Sequence, residues 1–392
     1  MSPLDPSVLP AGIRSRFVDG INGLRMHVLE AGFGGEARPG ILLLHGFPEL
    51  AYSWRKVMLP LAEAGFHVVA PDQRGYGRTT GWDPGYDGDL GTYRMLNLVR
   101  DAYGLVAALG LGSVAAVIGH DFGAPVAAYA ALIRPDVFRS LVLMSAPFAG
   151  PPALPKGAAA AGPRSGHVSA EPGIDEALAK LDRPRKHYQL YYSTREANAE
   201  MWHSKEGVHA FLRAYFHHKS ADWPGNRPFR LVGWSAATLA EMPTYYIMDL
   251  DKGMAETVRP MMPSAAEVEG CRWLGEAELA VYAEEFGRTG FQGGLNWYRC
   301  RTGSRFTAEL ELYSGRSIEV PALFIGGKSD WGVYQVPGNL ERMQSQACSR
   351  MAGCHLVDGA GHWVQQEQPA KTAALVLEFL ERQPRASAPA PA

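Results

Sequence analysis

A carboxylate stands at the centre of Gly119-His120-Asp121-Phe122-Gly123. The apolar run 114–118 leads into it, and the alanine-rich stretch 124–133 follows and stops at Arg134-Pro135. This pattern predicts strand, sharp turn and helix. Small residues two before and two after the tip let the backbone turn tightly. Such a turn usually presents a serine. An aspartate there suits attack on a saturated carbon, because attack on an acyl group would yield only a reactive anhydride. Asp121 therefore points away from acyl-enzyme chemistry and towards an alkyl ester. The plainer alternative is that Asp121 caps the following helix.

Three further segments supply partners. Residues 41–44 form a buried-strand run ending in His45-Gly46-Phe47-Pro48-Glu49. Residues 321–325 form another, opening into Gly326-Gly327-Lys328-Ser329-Asp330, so a carboxylate follows a strand end. Residues 354–357 lead into Asp358-Gly359-Ala360-Gly361-His362-Trp363, which puts a histidine on the loop after the next strand. The chain order nucleophile, acid, histidine is that of α/β-hydrolase triads. Asp330 as a helix cap and His362 as a packing residue are the plain readings. His45 and His120 are rival bases, each set inside a tight turn with poor access for water.

Together with Pro71-Asp72-Gln73-Arg74-Gly75-Tyr76-Gly77, His187-Tyr188-Gln189-Leu190-Tyr191 and Asn296-Trp297-Tyr298-Arg299, these segments span nearly the whole chain. The sequence resembles an epoxide hydrolase of the α/β-hydrolase fold. The resemblance implies Asp121 as nucleophile, His362 as general base and Asp330 as the acid orienting it. It implies Tyr298 and Tyr188 as donors to the epoxide oxygen, with Tyr191 and Tyr192 as close competitors of Tyr188. The backbone N–H groups of Phe47 and Phe122 are expected to form an oxyanion hole, with a cis bond before Pro48. The substrate pocket is expected among Phe47, Phe122, Trp363, Trp234 and Met248. Trp223, Phe229 and Met242 are further apolar cap residues, and all of these cap residues equally fit a packed cap core. The partners implied are a small apolar epoxide and water, with no cofactor and no metal.

The same Asp–His–Asp set would serve a haloalkane or haloacetate dehalogenase. A departing halide needs N–H donors, yet the side chains of Phe47 and Phe122 cannot donate. The arginine expected after the nucleophile in haloacetate enzymes is absent. A non-catalytic hydrolase-fold binding protein ranks third, since such proteins often lose triad members and here the full set is present.

These residues need a scaffold, and the composition allows one. The 392-residue chain is 46% hydrophobic, enough for one α/β core with an insertion. Lys plus Arg is 38 against 40 Asp plus Glu, so no basic excess points to nucleic acid or an anionic membrane. No apolar run approaches the length of a membrane span, and the first ten residues lack a signal-peptide core. Cys271, Cys300, Cys348 and Cys354 contain no C-x-x-C pair, which fits reduced packing cysteines in a cytoplasmic protein. The cap histidines His203, His209, His217 and His218 lack metal-ligand spacing and read as solvated helix residues. Monomer and homodimer both stay open.

Alternating strand and helix patterns predict a mostly parallel central sheet flanked by helices, an α/β-hydrolase fold with an inserted helical cap. Residues 16–30 read as a hairpin turning at Asp19-Gly20 or Asn22-Gly23. The core is expected at 1–148 and 304–382. The mainly helical cap is expected at 149–303, approached by a long Pro/Gly/Ala-rich loop over 147–173 and free of strand alternation. Residues 383–392 read as a disordered tail.

Overall fold

The computed structural model describes residues 1–34, 37–154 and 173–383. Most of the loop expected at 147–173 and the tail beyond 383 lie outside the described residues.

Eight strands form the central sheet: β1 (Ile13–Ile21), β2 (Leu24–Ala31), β3 (Gly40–Leu44), β4 (His67–Pro71), β5 (Val114–His120), β6 (Leu141–Met144), β9 (Ala322–Gly327) and β10 (Met351–Val357). Their spatial order is β1-β2-β4-β3-β5-β6-β9-β10. The pairs β1·β2 and β2·β4 are antiparallel, and every pair from β4 to β10 is parallel. The β1–β2 turn falls at Asn22-Gly23, with φ 49° and 82°. Two positive φ values are what a type I′ hairpin turn requires. Gly20 sits instead in an irregularity of β1 between Val18 and Ile21.

The short apolar runs are strands buried on both faces. Side chains alternate across a strand, so in β3 Ile41 and Leu43 face one core layer while Leu42 and Leu44 face the other. The first layer includes Trp54, Met58 of α1 (Arg55–Glu63) and Val376 and Phe379 of the helix Pro369–Glu381. The second includes Leu105 of α2 (Met95–Ala108) and Ala127 of α3 (Gly123–Ile133), and it runs on into the cap core.

The cap lies between β6 and β9. Its longest helices are Gly207–Lys219, Glu276–Thr289 and Gln292–Thr302. It also holds a small antiparallel sheet, β7 (Arg185–His187) against β8 (Ile247–Asp249). The expectation of a strand-free cap is corrected here: three residues per strand are too few to show a period of two. No helix among the described residues is long and apolar enough to cross a membrane, and all four cysteines are free thiols.

Candidate active site

In an open parallel sheet, reactive groups collect beyond the carboxyl ends of the strands. Phe47 follows β3, Asp121 follows β5, Ser145 follows β6, Asp330 follows β9 and His362 follows β10. The turn at Asp121 is held in the left-handed region, φ 50°, a conformation that costs a non-glycine residue free energy. Its flanking glycines are needed for close approach. A Cβ on Gly119 would come within 2.2 Å of the Gly123 carbonyl oxygen, and one on Gly123 within 2.2 Å of the Leu44 oxygen.

The two oxygens of the Asp121 carboxylate have different surroundings. Oδ1 accepts the Phe47 N–H at 3.0 Å. Oδ2 faces Nε2 of His362 at 3.5 Å. Phe122 is the N-cap of α3, so its N–H has no intrahelical acceptor. The Phe47–Pro48 peptide is cis. Burial opposes ionisation of Asp121, but His362, Lys219 and His120 outweigh it and hold the carboxyl well below its ordinary range.

On the far side of the imidazole, Nδ1 of His362 lies 3.1 Å from Oδ1 of Asp330 and 2.9 Å from Oγ of Ser145. The Ser145 hydroxyl donates to Oδ2 of Asp330 at 2.5 Å, and the Gly332 N–H donates to Oδ1 at 2.7 Å. Nδ1 is therefore the nitrogen held by the acid, and Nε2 is the nitrogen turned towards Asp121. Nε2 has no hydrogen-bond partner among the described residues. Burial opposes the charge of Asp330, yet His362 and Ser145 keep its carboxyl below the usual value.

The rival histidines are occupied. His45 accepts the Gln73 N–H on Nε2 at 3.1 Å and lies 2.9 Å from the Gly46 oxygen through Nδ1. His120 donates from Nε2 to the His362 carbonyl at 2.7 Å, while Nδ1 lies 2.5 Å from Glu49. Neither ring offers a nitrogen to water. Asp330 does cap a short helical turn through Gly332, so its plain role and its contact with His362 coexist.

The cap is placed over this centre by the helix Gln292–Thr302. Its start presses on the Gln73–Gly77 turn, where a Cβ on Gly293 would meet the Gly75 oxygen at 2.0 Å. The Trp297 indole donates to the Arg74 carbonyl at 3.0 Å. Tyr298 then stands edge-on to Phe122 and Phe47, with centroids 5.0 and 5.5 Å apart. Tyr188 is fixed through its N–H to the Tyr246 carbonyl at 2.9 Å, and its ring lies 6.0 Å from that of Tyr298. Asp121, Tyr188 and Tyr298 line one cavity that opens to solvent. Burial first, and then the charge of Asp121, pushes both phenols above their ordinary range. The Tyr188 hydroxyl donates to Gln335 at 3.2 Å within the cavity wall, whereas Tyr191 donates to Glu200 at 2.5 Å and Tyr192 to Tyr215 at 3.2 Å, and neither of these two lines the cavity.

Of the five residues expected as pocket walls, Phe122 lines this cavity. The other four are not among the residues that line it. Phe47 packs on Tyr192, Phe291 and Tyr298 and meets Asp121 through its backbone N–H. Trp363 is buried against Phe216, with its indole donating to the Phe216 carbonyl. Met248 is buried in β8, and Trp234 packs by His187. The apolar walls come instead from residues such as Phe148, Trp297 and Phe306.

Two features were missed from sequence. Ser145 has φ 67° and bridges the acid and the base; its one signal is its place directly after β6. Glu49, buried in the His-Gly-Phe-Pro-Glu turn, accepts from Gly46 N–H at 3.0 Å and Gln365 at 2.9 Å and pairs with His120. A carboxylate inside an otherwise buried turn was the signal there.

The match to known proteins agrees with this geometry. The family model for the alpha/beta hydrolase fold matches residues 39–165. Epoxide hydrolase A of Mycobacterium tuberculosis is 34% identical, over 93% of this chain and 96% of that protein. An epoxide hydrolase of Caballeronia sordidicola is 30% identical, over 92% and 91%. Among solved structures, an epoxide hydrolase from an endophytic Streptomyces has a TM-score of 0.74 and 31% identity, over 95% of this chain and 96% of that one. Potato epoxide hydrolase I has a TM-score of 0.71 and 28% identity, over 95% and 100%. The chain is thus an α/β hydrolase by fold. Within that class it belongs to the epoxide hydrolase family.

Proposed function

We propose that this chain hydrolyses an epoxide to a vicinal diol through a covalent ester on Asp121. The observation that carries this reading is that one cavity is lined by the carboxylate of Asp121 together with the phenols of Tyr188 and Tyr298, with Nε2 of His362 beside the carboxylate.

Oδ2 of Asp121 attacks a ring carbon and the C–O bond on its far side breaks. The leaving oxygen gains negative charge and takes a hydrogen bond and then a proton from Tyr298 or Tyr188. Both phenols hold their protons partly because Asp121 is charged. Ester formation removes that charge, so the proton is easier to give in the step that needs it. His362 then takes a proton from water through Nε2, and the hydroxide adds to the ester carbonyl. The oxyanion forms at Oδ1, which the Phe47 N–H already meets, with the Phe122 N–H as second donor. Collapse expels the second diol oxygen, which takes the proton from the imidazolium, and the carboxylic proton left on Asp121 returns to the tyrosinate, restoring the enzyme. Asp330 and Ser145 hold the imidazole and stabilise its cation.

Dehalogenation is the weaker reading. The indoles of Trp297 and Trp363, which pack on Phe122 and His362, already donate to backbone carbonyls and are unavailable to a halide. The domain division 1–148, 149–303 and 304–382 and a cytoplasmic location belong to the same proposal. A panel of epoxides and haloalkanes, assayed for diol and halide, tests it. Diol from epoxides is expected; halide release faster than any epoxide opening would transfer the chain to the dehalogenase reading.

A further inference from the structure

We propose that Glu367 is the positioning residue of the base: its carboxylate holds the backbone on both sides of His362 and ties that backbone to the cap. This rests on the epoxide reading and extends it to what keeps the second step in register.

Glu367 ends the short helix Val364–Glu367 that follows the base. Its Oε1 accepts the Trp363 N–H at 2.9 Å, and its Oε2 accepts the Gly361 N–H at 2.9 Å and the Ala221 N–H at 2.8 Å. The N–H of His362 itself donates to the Lys219 carbonyl at 2.9 Å. The backbone N–H groups around the base therefore go to one carboxylate and one cap carbonyl. A side chain that merely capped its own short helix would need Trp363 alone. Gly361 and Ala221 lie outside that helix, and Ala221 is 146 residues away in sequence. Gly361 shows the same contact from the other side. A Cβ there would lie 2.5 Å from the Ala221 nitrogen, so cap and base loop meet backbone to backbone.

Three donors around two oxygens are the surroundings of an ionised carboxylate, which accepts and does not donate. Such charge-assisted bonds are stronger than neutral ones. Burial pushes the carboxyl up to about 8 and Asp222 adds to that push, while the three N–H groups draw it down. The imidazole they hold has little latitude. Its Nδ1 lies 3.1 Å from Asp330 while its Nε2 lies 3.5 Å from Asp121. A misplacement of about 1 Å costs roughly 10²-fold in rate. Lys219 ends the cap helix Gly207–Lys219, and Ala221 follows it closely. The cap also carries Tyr188 and Tyr298, so this clasp sets the base and the phenols in one frame.

The test is stopped-flow measurement of ester formation and ester hydrolysis on one epoxide. Glu367→Gln keeps the shape but replaces an acceptor with a donor. It should slow ester hydrolysis by roughly tenfold or more and change ester formation little. The acid limb of hydrolysis should also move to lower pH, because an imidazolium held less well by Asp330 loses its proton more readily. Glu367→Asp keeps the charge and should regain part of the rate. Gly361→Ala pushes the cap off the base loop and should reproduce the selective slowing. These two variants carry the test if Glu367→Gln does not fold. Equal slowing of both steps with the acid limb unmoved makes Glu367 a plain structural residue and overturns the inference. So does normal ester hydrolysis in Glu367→Gln. In either case the unaltered protein still turns over its epoxide, and this inference alone fails. If the unaltered protein opens no epoxide, the epoxide reading fails and takes this one with it.

Discussion

The backbone N–H of Phe47 meets Oδ1 of Asp121 at 3.0 Å, which leaves Oδ2 as the oxygen facing the base. One carboxylate is thereby divided into an attacking oxygen and one already seated where the second-step oxyanion will form. The division comes from chain geometry: Gly46 is so close that a Cβ there would lie 2.4 Å from the Asp121 Cβ.

The cap phenols act in the first step. Tyr298→Phe and Tyr188→Phe remove only a hydroxyl, so each should slow ester formation, and the double variant should lose far more than either alone. General acid assistance is worth roughly 10²–10⁴-fold, and two donors partly cover for each other. Stopped-flow measurement of alkylation and ester hydrolysis resolves the two steps. A double variant that alkylates at the normal rate would make these tyrosines packing residues.

Ser145 acts in the second step. Its hydroxyl donates to Oδ2 of Asp330 and stands 2.9 Å from His362 Nδ1. Ser145→Ala leaves a buried carboxylate one donor short, a loss of about 1–3 kcal/mol. Ester hydrolysis should slow by roughly tenfold or more, and its pH profile should shift, while alkylation changes little. Equal slowing of both steps would point to general disorder of the site instead.

Asp72 holds the turn on which the cap helix rests. It accepts the Ala51 and Arg78 N–H groups at 2.8 and 2.9 Å and contacts His27 at 2.7 Å. Burial opposes its charge, but His27 and the Arg78 N–H bring its carboxyl down to about 2. A carboxyl lowered by folding stabilises the folded state above its unfolded value of 3.8. That stabilisation is lost as pH falls towards about 2 and amounts to roughly 2 kcal/mol. The stability gap between the unaltered protein and Asp72→Asn, read from urea midpoints, should therefore shrink across about pH 4 to 2. A gap constant over that window would show that Asp72 is not charged in the fold.

Much of this was legible in the chain. The strands β3, β4, β5, β6 and β9 each announced themselves as a short apolar run, because strands covered on both faces need no polar alternation. Asp121, Asp330 and His362 stood out because each follows such a run in a loop with glycine. The pocket walls were not legible. Trp234 and Met248 carry the right chemistry, but only packing decides which apolar side chains face a cavity, and those that do include Trp297 of the cap and Phe148 and Phe306 at its two borders. Ser145 was hidden for a related reason: a serine after a strand is ordinary until the fold brings Asp330 and His362 to it.

The account stands on the ester at Asp121, and the most direct test is to stop the reaction there. His362→Gln retains the nucleophile and the phenols but lacks the base. Mixed with an epoxide, it should gain one substrate mass, carried on the peptide containing Asp121, and release almost no diol. Asp121→Ala should gain no mass and form no diol. A His362→Gln enzyme that never gains mass, or an Asp121→Ala enzyme that still forms diol, would contradict the covalent route.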